Sequence, residues 1–185
     1  MKILGLYLEK IKDYRTPRRI DSFSSGLVLL LGRNGRGKST IPQAIGLSVF
    51  GVRPSEFVGE DGFQGFVSHG ESKGRIKTIV AFEPDKVWTF DAHLNVKSDG
   101  KYDVRISIYE GAHEPNGESI KSLPIHRKLS LRALNDLMTT TLGVPTSLTD
   151  LHNQIIAPSQ GSGLTQYLHL TRGARRSQTE TMLGL

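Results

Sequence analysis

The sequence has no cysteine among its 185 residues, and it has no long apolar run. The first absence excludes disulfides, thiolate metal ligands and a cysteine nucleophile within the chain. The second argues against a membrane-spanning helix, which needs roughly 20 consecutive apolar residues. The opening residues also lack the apolar segment and small-residue cleavage site of a secretory signal. We therefore expect a cytoplasmic protein that does not enter a membrane.

Two motif classes are missing, and acidic residues are outnumbered. The six histidines show no metal-ligand spacing, and the Asn-Lys-x-Asp motif by which GTPases recognise their base is absent. The chain has 18 acidic and 24 basic side chains, a formal net charge of +6 and a pI near 9.7. This balance favours an anionic partner such as nucleic acid, although charge alone fits a soluble basic surface better.

The composition and patterning are those of a globular α/β protein. Hydrophobic residues make up 37% and charged residues 23%, as in one domain or a large part of one. Residues 3–8 predict a strand, and the unbroken apolar run 27–31 is typical of a parallel strand buried on both faces. Residues 38–50 predict a helix, in which Pro42 falls in the first turns, where a missing N–H costs least.

Alternating apolar residues predict three further strands, at 76–82, 88–96 and 104–108. Turn residues separate the three segments, which indicates an antiparallel meander. We expect one face of this meander to pack and the other to meet water. Downstream, Ser130 is suited to cap a helix that ends before Gly143.

A complete phosphate-binding motif, G-x-x-x-x-G-K-[ST], stands between the run 27–31 and the following helix. Residues 32–39 form it with the sequence Gly-Arg-Asn-Gly-Arg-Gly-Lys-Ser. Such a loop turns backbone N–H groups around an anion, and the helix N-terminus adds positive potential. A lysine reaches the outer phosphates and a hydroxyl binds magnesium. We predict that ATP and Mg²⁺ bind here, with contacts from Asn34, Gly35, Arg36, Gly37, Lys38, Ser39 and Thr40.

Four segments in order resemble the N-terminal half of an SMC-type (structural maintenance of chromosomes) ABC ATPase head. They are residues 6–19 with the motif Asp13-Tyr14-Arg15-Thr16, the phosphate loop, residues 66–71, and residues 155–161 as a Q-loop. The likeness is closest to the SMC-like ATPase that partners the nuclease of double-strand-break repair. Transporter ATPases place the Q-loop soon after the phosphate loop, whereas here Gln160 lies far downstream of Lys38.

The resemblance implies an α/β fold: the N-terminal lobe of a P-loop ABC-type ATPase head, with an antiparallel β meander and the start of a coiled-coil arm. Residues 1–171 would form half of the head, and residues 172–185 a helix leading into the coiled coil. Arg15 would reach the nucleotide and Lys12 would lie near the base. Lys38 and Gln160 would act in hydrolysis, with Gln160 and Ser39 ligating magnesium. Arg36 and Pro42 depart from the family's usual loop.

The ABC signature and the Walker B strand ending in Asp-Glu have no match in this sequence. The resemblance therefore implies that a C-terminal half completes the head and that ATP joins two heads in a homodimer. Such heads bind DNA, and a nuclease partner is implied by the closest likeness. Candidate DNA contacts are Lys101, Arg105, Arg172, Arg175 and Arg176.

Two other functions stay open. One is a stand-alone P-loop NTPase or small kinase, for which the pair Arg175-Arg176 is the only hint of a lid. The other is a nucleotide-binding structural module, since divergent SMC-like ATPases, the arcadins, accompany archaeal cytoskeletal proteins. The sequence does not separate a cytoskeletal role from DNA repair or chromosome organisation.

Overall fold

The computed structural model describes residues 1–21, 23, 30–33, 35–53, 65–97, 102–114, 116–143, 148, 171 and 173. Within them the chain forms six strands and two helices. In chain order these are β1 (Lys2–Glu9), β2 (Arg18–Ile20), α1 (Thr40–Phe50), β3 (Lys73–Glu83), β4 (Lys86–Val96), β5 (Tyr102–Glu110), β6 (His126–Leu129) and α2 (Leu131–Leu142).

The six strands form one antiparallel sheet in the order β2-β1-β3-β4-β5-β6. The predicted meander is confirmed as β3, β4 and β5, which are joined by short connections. The predicted first strand is confirmed as β1, and it pairs with β3 although the phosphate loop and α1 lie between them in sequence. The strand β6, which periodicity did not predict, extends the sheet at the opposite edge.

The hydrophobic core lies between one face of the sheet and the two helices. Alternate residues of the central strands supply the sheet side, and Phe90 and Ile106 are fully buried there. From the helices, Leu47 of α1 and Leu134 of α2 complete the layer. The period of two along the strands places their apolar residues on a single face, which is what this packing requires.

The opposite face of the sheet does not meet water at its centre, so that prediction is wrong there. Lys77, Thr89 and Asp91 on this face are 1%, 0% and 2% exposed. Residues 111–114 and 116–118, which we call the covering segment, lie over them and are fixed by hydrogen bonds to their backbone. Thr89 Oγ1 donates to Gly111 O at 2.8 Å, and Lys77 Nζ donates to Glu118 O. Polar strand residues are thus buried by a loop whose carbonyls they satisfy.

The helix ends agree with the sequence. Ser130 Oγ accepts a hydrogen bond from Ala133 N at 3.2 Å, so the predicted cap of α2 is confirmed, and Gly143 ends the helix with φ 60°. Pro42 is the third residue of α1, which runs on to Phe50. Asn135 of α2 donates from Nδ2 to Phe50 O at 2.8 Å and so caps the other helix.

The predicted buried strand at 27–31 is not found at the two of its residues that the structure describes. Residues 27–29 lie outside the described residues. Leu30 and Leu31 are described, belong to no strand, and are 37% and 83% exposed. The prediction is wrong at these two positions, because none of the six described strands pairs with them.

The arm predicted at 172–185 lies outside the described residues, except for Gly173. No helix in the described ranges is long and apolar enough to cross a membrane.

Candidate phosphate-binding site

Two glycines give the phosphate loop a shape that other residues resist. Gly35 has φ 72° and Gly37 has φ 73°, in the left-handed region that favours glycine. A β-carbon at Gly37 would also lie 2.8 Å from Tyr14 Cε2, closer than van der Waals contact allows. Gly37 is therefore required both by its backbone angle and by the ring packed against it.

The Lys38 side chain folds back over its own loop. Its Nζ donates to Gly32 O at 2.7 Å and to Arg33 O at 2.8 Å. Both acceptors are exposed backbone carbonyls of the first two loop residues, so the lysine ammonium group lies beside the start of the loop. A phosphate oxygen is a stronger acceptor for an ammonium group than a neutral carbonyl. An anion bound beside Lys38 would therefore compete with these two carbonyls for the ammonium group.

Ser39 and Thr40 stand at the N-terminus of α1. Ser39 is exposed, and its side chain makes no capping hydrogen bond. A hydroxyl that is not used in capping can serve as a ligand for Mg²⁺, which prefers oxygen. Thr40 is buried, and its backbone N donates to Gly37 O at 3.1 Å. The described residues contain no group of three or more His, Asp or Glu that could hold a metal ion.

The charge around the loop favours anions. No acidic residue occurs between Asp21 and Glu56 in the sequence, while Arg33, Arg36 and Lys38 lie within the loop. Arg33 and Arg36 are exposed. Cations grouped in this way raise the local concentration of an anionic ligand and add to the potential of the helix N-terminus.

A short turn near the start of the chain, residues 10–15, lies against the phosphate loop. It is joined to the segment 66–68 by three hydrogen bonds: Lys12 N to Phe66 O at 2.9 Å, Ser68 N to Lys10 O at 2.9 Å, and Ser68 Oγ to Lys12 O at 2.7 Å. Two of the segments that carry the family resemblance are therefore in contact. We call residues 10–15 the N-terminal turn.

The N-terminal turn touches both the loop and α1. Tyr14 Oη donates to Gly37 O at 3.3 Å, and Lys12 Nζ donates to Gln43 Oε1 at 2.8 Å. Arg15 follows Tyr14 directly and is exposed. The turn thus places Arg15 next to Tyr14, which contacts the phosphate loop; that Arg15 reaches the nucleotide stays a prediction. Lys12 contacts Gln43 and, at 5.7 Å from its centre, the Phe66 ring.

Most of the predicted site residues meet in this region. Those that the structure describes are Arg15, Gly35, Arg36, Gly37, Lys38, Ser39 and Thr40. Asn34 and Gln160 lie outside the described residues, and the nucleotide-binding role of every predicted site residue stays a prediction. Sequence reasoning missed the contacts of Gln43 and of the Tyr14 side chain. The position of Gln43, one helical turn beyond Ser39, could have indicated the first; no sequence signal shows which way the Tyr14 ring points.

A comparison with protein families agrees with this geometry. The family model described as an AAA domain matches residues 6–158, more than half of the chain. This is an AAA-type P-loop ATPase family found in SMC-like proteins. The matched range includes the N-terminal turn, the phosphate loop, the meander and α2. A search of curated proteins found no match.

Proposed function

Because this chain belongs to the AAA domain family of P-loop ATPases, we propose that it binds ATP with magnesium through residues 32–39 and the start of α1. The observation that carries the proposal is the position of the Lys38 ammonium group beside the start of a glycine-rich loop that leads into the N-terminus of α1. Loop, lysine and hydroxyl together match the chemistry of a magnesium-bound triphosphate.

Each residue has a separate task in this proposal. Lys38 transfers its hydrogen bonds from loop carbonyls to phosphate oxygens, and backbone N–H groups around Gly37 surround the anion. The Ser39 hydroxyl contributes one oxygen ligand to the metal. Bound magnesium neutralises charge that builds up on the phosphates. Arg15 reaches towards the nucleotide from the N-terminal turn.

The test is a titration of ATP and Mg²⁺ into wild-type protein and Lys38→Ala, with Lys97→Ala, one residue beyond β4, as a matched control. Two charge-assisted hydrogen bonds of about 1.5–3 kcal/mol each predict an affinity loss of about a hundredfold or more. The melting temperature should change little, since both present acceptors are exposed carbonyls. Equal ATP affinity in Lys38→Ala and wild type would contradict the proposal.

We further propose that this chain is the ATP-binding part of an SMC-like head and that hydrolysis needs a C-terminal half and a second head. The support is the family's occurrence in SMC-like proteins, together with the lack of a Walker B or signature match in the sequence. Phosphoryl transfer depends on groups that position water and neutralise charge. Rapid turnover by the isolated chain, or a completed head that stays monomeric with a non-hydrolysable ATP analogue, would contradict this.

DNA is the proposed partner of the assembled head. Of the contacts suggested by sequence, Arg105 is exposed but paired with Asp103 at 2.8 Å, and Lys101, Arg172, Arg175 and Arg176 lie outside the described residues. A better-supported surface is residues 121–132, which we call the basic segment. No acidic residue occurs between Glu118 and Asp136. Four exposed cations in the basic segment make no ion pair with any described residue: Lys121, Arg127, Lys128 and Arg132.

Duplex binding across a salt series tests this surface in the completed head. The double variant Arg127→Glu, Lys128→Glu should bind at least about tenfold more weakly than wild type, and its salt slope should fall by about 2. Lys2→Glu, Lys97→Glu is the control, because it reverses the same number of exposed charges elsewhere. Salt-independent binding, or equal losses in the two double variants, would exclude the basic segment as the DNA site.

A further inference from the structure

The Tyr14 side chain packs directly on the phosphate loop. Its ring lies so close to Gly37 that a β-carbon there would be 2.8 Å from Cε2 and 3.3 Å from Cζ. Its hydroxyl donates to Gly37 O at 3.3 Å. The ring thus lies beside the Cα of Gly37 and the hydroxyl binds its carbonyl oxygen, and Gly37 is the residue that precedes Lys38.

These contacts fix the orientation of one peptide group. Gly37 O accepts hydrogen bonds from Tyr14 Oη and from Thr40 N, at 3.3 and 3.1 Å. A trans peptide is planar, and its carbonyl and N–H point in opposite directions; the described residues include no cis bond. The Lys38 N–H therefore points away from Tyr14, and no described residue accepts a hydrogen bond from it.

We infer that Tyr14 is a positioning residue of the phosphate site, which holds the Gly37–Lys38 peptide so that the Lys38 N–H faces the anion. This inference rests on the proposed ATP site and assigns a task that the loop motif itself does not contain. A flexible glycine beside a phosphate pays entropy when it is ordered, and Tyr14 supplies that order before the ligand arrives.

The N-terminal turn holds Tyr14 in place for this task. Tyr14 N donates to Ile11 O at 2.8 Å, and Ile11 N donates to Tyr14 O at 3.2 Å. Burial, together with the nearby Asp13 charge, raises the pKa of Tyr14. Its hydroxyl consequently keeps its proton and remains a donor throughout the neutral range. The tyrosine is anchored through its backbone and acts through its side chain.

The experiment compares wild type with Tyr14→Phe, which keeps the ring and removes the donor, and with Tyr14→Leu, which removes both. Tyr109→Phe on β5 is the control. ATP and inorganic tripolyphosphate are the titrants. One hydrogen bond of about 0.5–1.5 kcal/mol predicts a two- to tenfold affinity loss in Tyr14→Phe, equal for both titrants. Tyr14→Leu should lose more than Tyr14→Phe.

The chemical shift of the Lys38 amide in ¹⁵N-labelled protein reports on this peptide group and does not depend on the overall stability of the protein. It should shift in Tyr14→Phe, at unchanged melting temperature, and stay in place in Tyr109→Phe. An unshifted Lys38 amide in Tyr14→Phe overturns the inference, whether or not ATP binds. Equal ATP affinity in wild type and Lys38→Ala refutes the proposed site instead, so the two failures are distinguishable.

Discussion

The Arg75–Asp91 pair on the loop-covered face of the sheet gives the sharpest stability prediction. Arg75 donates two parallel hydrogen bonds to the carboxylate, Nε to Oδ1 at 2.9 Å and Nη2 to Oδ2 at 2.7 Å. The side chains are 12% and 3% exposed. Arg75 also donates from Nη1 to Gly117 O at 2.5 Å. The pair therefore joins β3, β4 and the covering segment (residues 111–114 and 116–118).

The size of the stability contribution of this pair follows from the pKa of Asp91. Burial alone would raise this pKa, but the Arg75 hydrogen bond, and then His93, lower it to about 2 from the ordinary 3.8. A folded-state pKa below the unfolded one stabilises the protein above the unfolded value. That stabilisation is lost as pH falls from about 4 to about 2. This difference between the folded and unfolded pKa of Asp91 corresponds to a stabilisation on the order of 2 kcal/mol.

The perturbation is Asp91→Asn, with Asp103→Asn as control, because the half-buried Asp103 also pairs with an arginine. At neutral pH the variant leaves Arg75 largely buried without a counter-charge, which should cost about 3–5 kcal/mol. Urea unfolding between pH 2.5 and 7 measures both effects. The free energy of unfolding of Asp91→Asn should vary less with pH below 5 than that of wild type.

Two outcomes would refute this reasoning. One is an acid loss of stability in Asp91→Asn as large as that of wild type, which would mean that other carboxylates cause the loss. The other is a destabilisation at neutral pH no larger than that of Asp103→Asn. Either result would show that the pair contributes no more than an exposed ion pair, about 0–1 kcal/mol.

Two further predictions concern how α1 is fixed. Ser48 Oγ and Thr78 Oγ1 form a buried hydrogen bond of 2.7 Å. Ser48→Ala should therefore lower the free energy of unfolding in urea by about 1–3 kcal/mol, and the double variant Ser48→Ala, Thr78→Val should lower it by less, because neither partner is then left unpaired. A larger loss of stability in the double variant would contradict this. Gly51, with φ 65°, has no room for a β-carbon against Leu131 O, so Gly51→Ala should lower stability by more than the about 1 kcal/mol lost in Asn135→Ala. A Gly51→Ala variant as stable as wild type would exclude that contact.

The sequence predicted the elements whose information is local. The strands β3, β4 and β5 follow from alternation, because side chains on a strand point to opposite faces in turn. The cap and end of α2 follow from Ser130 and Gly143, whose chemistry acts within one helical turn. The phosphate motif identified the loop and the residues on it, since glycine, lysine and hydroxyl at that spacing already define the chemistry.

Tertiary structure decided everything that joins distant residues. Alternation separated Lys77 and Asp91 from the core face correctly, yet only the position of the covering segment (residues 111–114 and 116–118) shows that they are buried. Leu31 looks like a core residue in sequence but is exposed, because none of the described strands lies alongside it. Tyr14 meets Gly37 because the fold brings the N-terminal turn, which follows β1, beside the phosphate loop, which precedes α1. Such contacts depend on pairing between elements far apart in the chain, which no local pattern records.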